Sequence, residues 1–165
     1  MREFNDFGEF AAYMLAMEPL TKVAIHRGLE KGTQCIEQAA KESIGTYQDS
    51  VGEFPAWAEL AQATKDDRVR LGYSENDPLL RRGDTRDSIE SQIDGLDAIV
   101  GSESDILYWQ EVGDEKLPPR PVLGPAALIN EEHVVRDLSE AYAIAWLGGT
   151  RLPLGIGYTS NEEGE

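Results

Sequence analysis

Cysteine and histidine are almost absent from the chain: Cys35 is the only thiol, and His26 and His133 are the only imidazoles. One cysteine excludes an internal disulfide. Zinc ribbons and fingers, which need several thiolate or imidazole ligands at close spacing, are excluded with it. Basic residues are scarce too, with 15 Lys+Arg against 31 Asp+Glu and a formal charge of −16. Phosphate affinity comes from counterions released at Lys/Arg patches, so this balance argues against a general nucleic-acid binder. It argues equally against an electrostatic hold on anionic membranes. No apolar run approaches the length of a membrane span, and the start MREFNDFGEF has no apolar h-region of a secretory signal. The expectation is a soluble protein from a reducing cytoplasm, without metal or cofactor.

What is present suits one domain: 165 residues, 41% of them hydrophobic. Phe4, Phe7, Phe10, Ala11, Met14 and Leu15 recur at helical spacing, which predicts an amphipathic helix over 3–18. Pro19 is expected to break or re-aim it. A longer helix is predicted from Leu20 to Ile44, with Gly28, Gly32, Ala39 and Ala40 making one narrow face for a close neighbour and Gly45 as its C-terminal stop. Pro55 is expected to open a short helix to about Thr64 that buries Trp57, Leu60 and Ala61. Residues 65–80 read as a long polar excursion.

The period then changes. Ile89, Ser91 and Ile93 alternate with polar residues, Asp94-Gly95 follows, and Leu96 to Val100 reads as a second strand, so a hairpin with a type I′ turn is predicted. Ile106 to Trp109 fits a third strand or a short helix. Pro118-Pro119-Arg120-Pro121 is extended. Asn130 is expected to cap a C-terminal helix, with Glu131 and Glu132 at its positive end and Val135, Leu138, Tyr142 and Ala145 on its periodic face. The fold class is α+β: a small antiparallel sheet with a hairpin, packed by a long N-terminal helix and a C-terminal helix. Residues 1–19 form a helical extension, 20–147 the main domain, and 148–165 an extended tail.

Catalytic patterns do not emerge. Cys35 has no recognisable base and orienting group, and Glu131-Glu132-His133 point in different directions from one helix. Arg82-Gly83-Asp84 is a chance tripeptide, no glycine pattern opens a phosphate-binding helix, and the many acids single out no dyad. The chain is expected not to be an enzyme.

Motifs from Pro78 to Leu128 carry a different signal. Pro78-Leu79-Leu80 with Gly83, Arg86, Ser88 and Ile89 come first, followed by Val100-Gly101-Ser102. Tyr108, Glu111 and Gly113 come next, then Pro119-Arg120-Pro121 with Leu123, Pro125 and Ala126. Trp57, Leu60 and Thr64 stand ahead of them. In order and spacing this resembles the tail-completion or neck proteins of long-tailed bacteriophages, the phage virion morphogenesis family, across roughly residues 20–147. The chain departs from that pattern at Arg82 and Asp84 around Gly83, and at Val122 where a Phe is common. The resemblance implies a structural virion protein made in the host bacterial cytoplasm and located at the head–tail junction. There it would form a homo-oligomeric ring that completes the tail for joining to the DNA-filled head. Its implied partners are itself and neighbouring head-closure or connector and tail-terminator or tail-tube proteins. Alternative readings are a tail terminator, a head-closure ring protein, or a small acidic binding or inhibitor module.

Ring assembly needs one face of a subunit to meet a different face of the next, and aromatics and Arg are favoured anchors. Tyr108, Trp109, Glu111 and Arg120 are therefore candidate interface residues. In the tail, Leu152, Leu154, Ile156 and Tyr158 alternate and suit addition to a neighbour's sheet edge. Between Asp84 and Glu115 ten acids stand against one base, Arg86. Asp94, Asp97, Glu103 and Asp105 are the candidate acidic face, toward a basic partner or a DNA channel, where repulsion of phosphates lets DNA slide. Lys65, Arg68, Arg70, Arg81, Arg82 and Arg86 form a local basic group.

Overall fold

In the computed structural model, residues 4–147 are described. Helix α1 runs Phe7–Ser43, α2 Gln62–Arg70 and α3 Asp84–Asp87. Strands β1 Ile89–Asp94 and β2 Asp97–Ser102 follow, then α4 Asp105–Val112 and α5 Leu123–Leu147. The architecture is the expected α+β arrangement, with one two-stranded antiparallel sheet.

Helix α1 is the spine. Asp6 caps it by accepting from the Glu9 amide at 2.8 Å. Its 37 residues span about 55 Å at 1.5 Å per residue. Pro19 lies inside this helix rather than ending it, so the boundary drawn there between extension and domain falls within one element. Proline removes one hydrogen bond and costs about 3 kcal/mol in a helix interior. Turns on both sides of it are held by tertiary contacts: before it Met17 is buried and the Tyr13 hydroxyl donates to the Trp146 carbonyl at 3.3 Å, and after it Gly28 packs against Leu138. The chain leaves through Gly45, whose φ of 105° suits glycine, and the Gly45 amide donates to the Pro78 carbonyl at 2.9 Å.

Helix α5 lies antiparallel along α1. The narrow face meets it as expected: a Cβ added to Gly28 would stand 3.0 Å from Leu138 Cδ2, and one on Gly32 would stand 3.0 Å from Val134 Cγ1. The small residues let the two backbones approach, and that packing offsets the helix propensity lost at each glycine, about 1 kcal/mol. Cys35 is exposed and its Sγ donates to Asn130 Oδ1 at 3.1 Å. Asn130 is thus buried inside α5, its Nδ2 donating to the Ala126 carbonyl. It is not the helix cap, and Glu131 and Glu132 are not in the first turn.

The hairpin packs on α1 from another side. Ile89, Ser91 and Ile93 pair with Ser102, Val100 and Ala98 on the covered face. Ser91 Oγ donates to Glu37 Oε2 on α1 at 2.6 Å. The turn differs from expectation: Asp94 and Asp97 are the last cross-strand pair, so Gly95 and Leu96 are the loop. Only Gly95 has positive φ (63°), as in a II′ turn with glycine first.

Two further expectations are corrected. Residues 55–61 have no regular secondary structure, and the helix begins only at Gln62 and runs into the predicted excursion, to Arg70. Proline at a favoured helix position loses here to a long-range demand. Trp57 is buried, its Nε1–H donates to the Pro121 carbonyl at 3.0 Å, and its amide donates to the Gln48 carbonyl at 2.9 Å. Leu60 is half-buried and Ala61 exposed. Residues 106–109 belong to a helix, not a third strand. The core gathers Ala40 and Ile44 of α1, Trp57, Ile89, Leu107, Val122 and Ala126.

Candidate assembly interface

The segment after the hairpin turns a sequence of apolar residues outward. Ser102 Oγ contacts Ser88 Oγ at 2.7 Å and accepts the Ser104 amide at 3.0 Å, so the hairpin base sets where α4 starts. Ser104 is the N-cap of α4. Of the five large apolar residues in α4, only Leu107 enters the core. Ile106, Tyr108, Trp109 and Val112 are each more than half exposed. Tyr108 and Trp109 meet edge-to-face, with ring centroids 5.4 Å apart. A short helix with one apolar residue inward and four outward inverts the usual amphipathic arrangement. More exposed apolar side chains lie on α1 (Phe7, Leu15, Leu20, Val23), on α5 (Ile129, Val135) and at Ile99 on the outer face of the hairpin.

The other two candidates beside them have different work. Glu111 is half-buried and its Oε1 accepts the amides of Val122 at 2.9 Å and Leu123 at 2.7 Å. A carboxylate from α4 therefore closes the N-terminus of α5, the role expected of Asn130 and its acidic neighbours, and it favours the helix dipole. Arg120 is only 4% exposed. Its Nη2 donates to the carbonyl of Ala58 at 3.0 Å, and its own amide donates to the Gln110 carbonyl at 2.6 Å. Burial pushes its pKa down from the ordinary arginine value, opposed by the nearby Tyr47. This guanidinium clamps the 55–61 segment to α4 and is not an exposed anchor. Trp57, Glu111, Arg120 and Pro121 thus converge in one knot. Sequence reasoning placed Trp57 in the core but could not see that Glu111 and Arg120 would find partners within the chain.

Asp94, Asp97, Glu103 and Asp105 are all exposed. Asp94 and Asp97 stand directly opposite each other at the hairpin tip. Glu90 shares the outer face of the sheet with them. Leu152, Leu154, Ile156 and Tyr158 lie outside the described residues. Neither strand edge has a third strand bonded to it among the described residues.

A cleft of about 510 Å³ lies between α2, the segment before α3, and the connection from α4 to α5. Five of its lining residues are cations: Arg68, Arg81, Arg82, Lys116 and Arg120. Arg68 is buried and donates through Nε to the Ser74 carbonyl at 2.7 Å and through Nη2 to the Leu80 carbonyl. Arg81 reaches Asp67 at 3.4 Å, and Arg82 reaches Asp84 at 3.2 Å. Hydrogen bonding from Arg70, with Arg81 adding to it, holds the Asp67 carboxyl below the usual carboxylate range. Part of the expected basic group therefore gathers here, while Arg86 spends its charge on Asp87 at 2.8 Å.

No protein-family model, curated protein or solved structure significantly matches this chain. Among the described residues, no cluster of three His, Cys, Asp or Glu side chains could hold a metal ion, and no helix is long and apolar enough to cross a membrane.

Proposed function

We propose that this chain is a non-enzymatic structural protein of the phage neck. In this reading it assembles as a homo-oligomeric ring at the head–tail junction and completes the tail for joining to the DNA-filled head. Its partners are further copies of itself and the neck or tail-tube proteins above and below. The observation that carries the assembly part is the outward apolar face of α4. Ile106, Tyr108, Trp109 and Val112 project outward from one short helix and have the composition that protein interfaces favour. The order of the Pro78–Leu128 motifs supplies the assignment to the neck. The acidic outer face of the hairpin suits a surface that passes near DNA without retaining it.

Native mass spectrometry of the purified chain, with electron microscopy of the same sample, tests this. The expected result is a closed ring, and Tyr108→Ala with Trp109→Ala is expected to shift it to smaller species while the circular-dichroism spectrum stays unchanged. A folded monomer at high concentration that captures a basic DNA-binding protein would sink the ring and favour an acidic inhibitor.

A further inference from the structure

The positive cleft lies in a strongly negative molecule, and its charge is only partly neutralised from within: Glu59 and Asp84 also line it, Arg82 pairs with Asp84 and Arg81 with Asp67. Among the described residues, Arg68, Lys116 and Arg120 have no carboxylate within ion-pair distance. The side chain of Arg120 is buried and its Nε–H has no hydrogen-bond partner. A buried guanidinium with an unmade hydrogen bond and no counter-charge is costly, and an incoming carboxylate offsets that cost. The hairpin tip holds the complementary irregularity. Asp94 and Asp97 face each other as a like-charged cross-strand pair, an arrangement that destabilises a hairpin on its own. Leu96 between them is half exposed.

We infer that the cleft binds an acidic segment, and that the segment is the Asp94–Asp97 hairpin tip of a second copy of this chain. The inference rests on the assembly reading above. The tip cannot serve its own cleft. Gly83, Asp84 and Thr85 line the cleft at the base of the hairpin, and the six residues of β1 carry the tip about 17 Å away from that base. His26 Nδ1 is hydrogen-bonded to the Gly95 carbonyl at 3.0 Å and ties the tip to α1. Tip and cleft are different surfaces of one subunit, so their pairing is heterologous and propagates from copy to copy, as a ring requires. The two aspartates would meet the Arg82 and Lys116 charges at the mouth, with the buried Arg68 and Arg120 guanidiniums adding positive potential behind them.

The test uses the full chain and native mass spectrometry, with two reversals chosen at exposed positions: Asp94→Lys with Asp97→Lys, and Arg82→Glu with Lys116→Glu. Each is expected to weaken association roughly a hundredfold, because like charges are then juxtaposed. Both reversals in one chain restore assembly. Mixing the two variants restores assembly with alternating copies, because the intact tip meets the intact cleft and the reversed tip meets the reversed cleft. The milder pairs Asp94→Asn with Asp97→Asn and Arg82→Gln with Lys116→Gln replace any reversal that does not fold. An oligomer of unchanged mass in every variant overturns this inference and leaves the ring standing, whereas a wild-type monomer overturns both. Thermal stabilisation by inorganic phosphate that the cleft variant loses, with mass unaffected by the tip variant, assigns the cleft to a small anion and overturns the second copy as occupant.

Discussion

Replacing Glu111 distinguishes a residue that binds a partner from one that holds the fold. Its Oε1 accepts two amides at the start of α5, at 2.9 and 2.7 Å. Hydrogen bonds to a charged group contribute about 1.5–3 kcal/mol each. The site is half-buried, so water replaces part of the loss and the lower end applies. Glu111→Ala is therefore expected to cost about 3 kcal/mol. Glu111→Gln keeps an acceptor oxygen but loses the charge facing the helix dipole, and should cost about 1 kcal/mol. In a domain of this size 3 kcal/mol lowers Tm by about 6–12 °C. Urea and thermal unfolding at one fixed protein concentration read both variants, since assembly itself shifts Tm. A cost below about 0.5 kcal/mol for alanine, or equal costs for alanine and glutamine, would refute the capping argument. Loss of ring mass at unchanged stability would instead return Glu111 to the interface.

Trp57→Phe leaves the buried Pro121 carbonyl without the indole donor and should cost about 2 kcal/mol in urea unfolding. Gly28→Leu forces a side chain toward Leu138, whose Cα would already stand 3.3 Å from the new Cβ. About 3 kcal/mol of destabilisation is expected, with partial recovery when Leu138→Ala is added. The Glu37 carboxyl is held below its ordinary range first by the Lys41 hydrogen bond and then by Ser91. A depressed carboxylate stabilises the fold above the unfolded value of about 4.3, and that contribution fades as pH falls through the folded value. Glu37→Gln should therefore be less stable than wild type at neutral pH, and the gap in urea midpoint should narrow as pH falls below about 4.3.

Local patterns carried far in this chain. Alternation over 89–100 is the hairpin, because a strand's side chains repeat every two residues. The small-residue face of α1 is where α5 lies, because only glycine and alanine leave room for a second helix backbone. Gly45 stops α1 where a positive φ is required. These features depend on residues a few positions apart, so reading along the chain reaches them. Other features depend on partners far along the chain. Pro19 was expected to end a helix by its own chemistry, and contacts with α5 carry the helix through it. Pro55 was expected to start one, and the bond from Trp57 to a carbonyl 64 residues away holds the segment out of a helix. Glu111 and Arg120 carried the composition of an interface, yet they satisfy a helix end and a set of carbonyls in the same subunit.

The chain's scarcity of basic residues follows from the sequence alone, and with it the expectation of no general affinity for phosphate backbones. Where those few cations stand was decided in three dimensions. Arg68, Arg81, Arg82, Lys116 and Arg120 come from separate segments and meet only once α2, α3 and α4 are in place. Charge counts are additive along a sequence, but electrostatic potential depends on distance. A molecule with a net charge of −16 therefore contains a positive cleft.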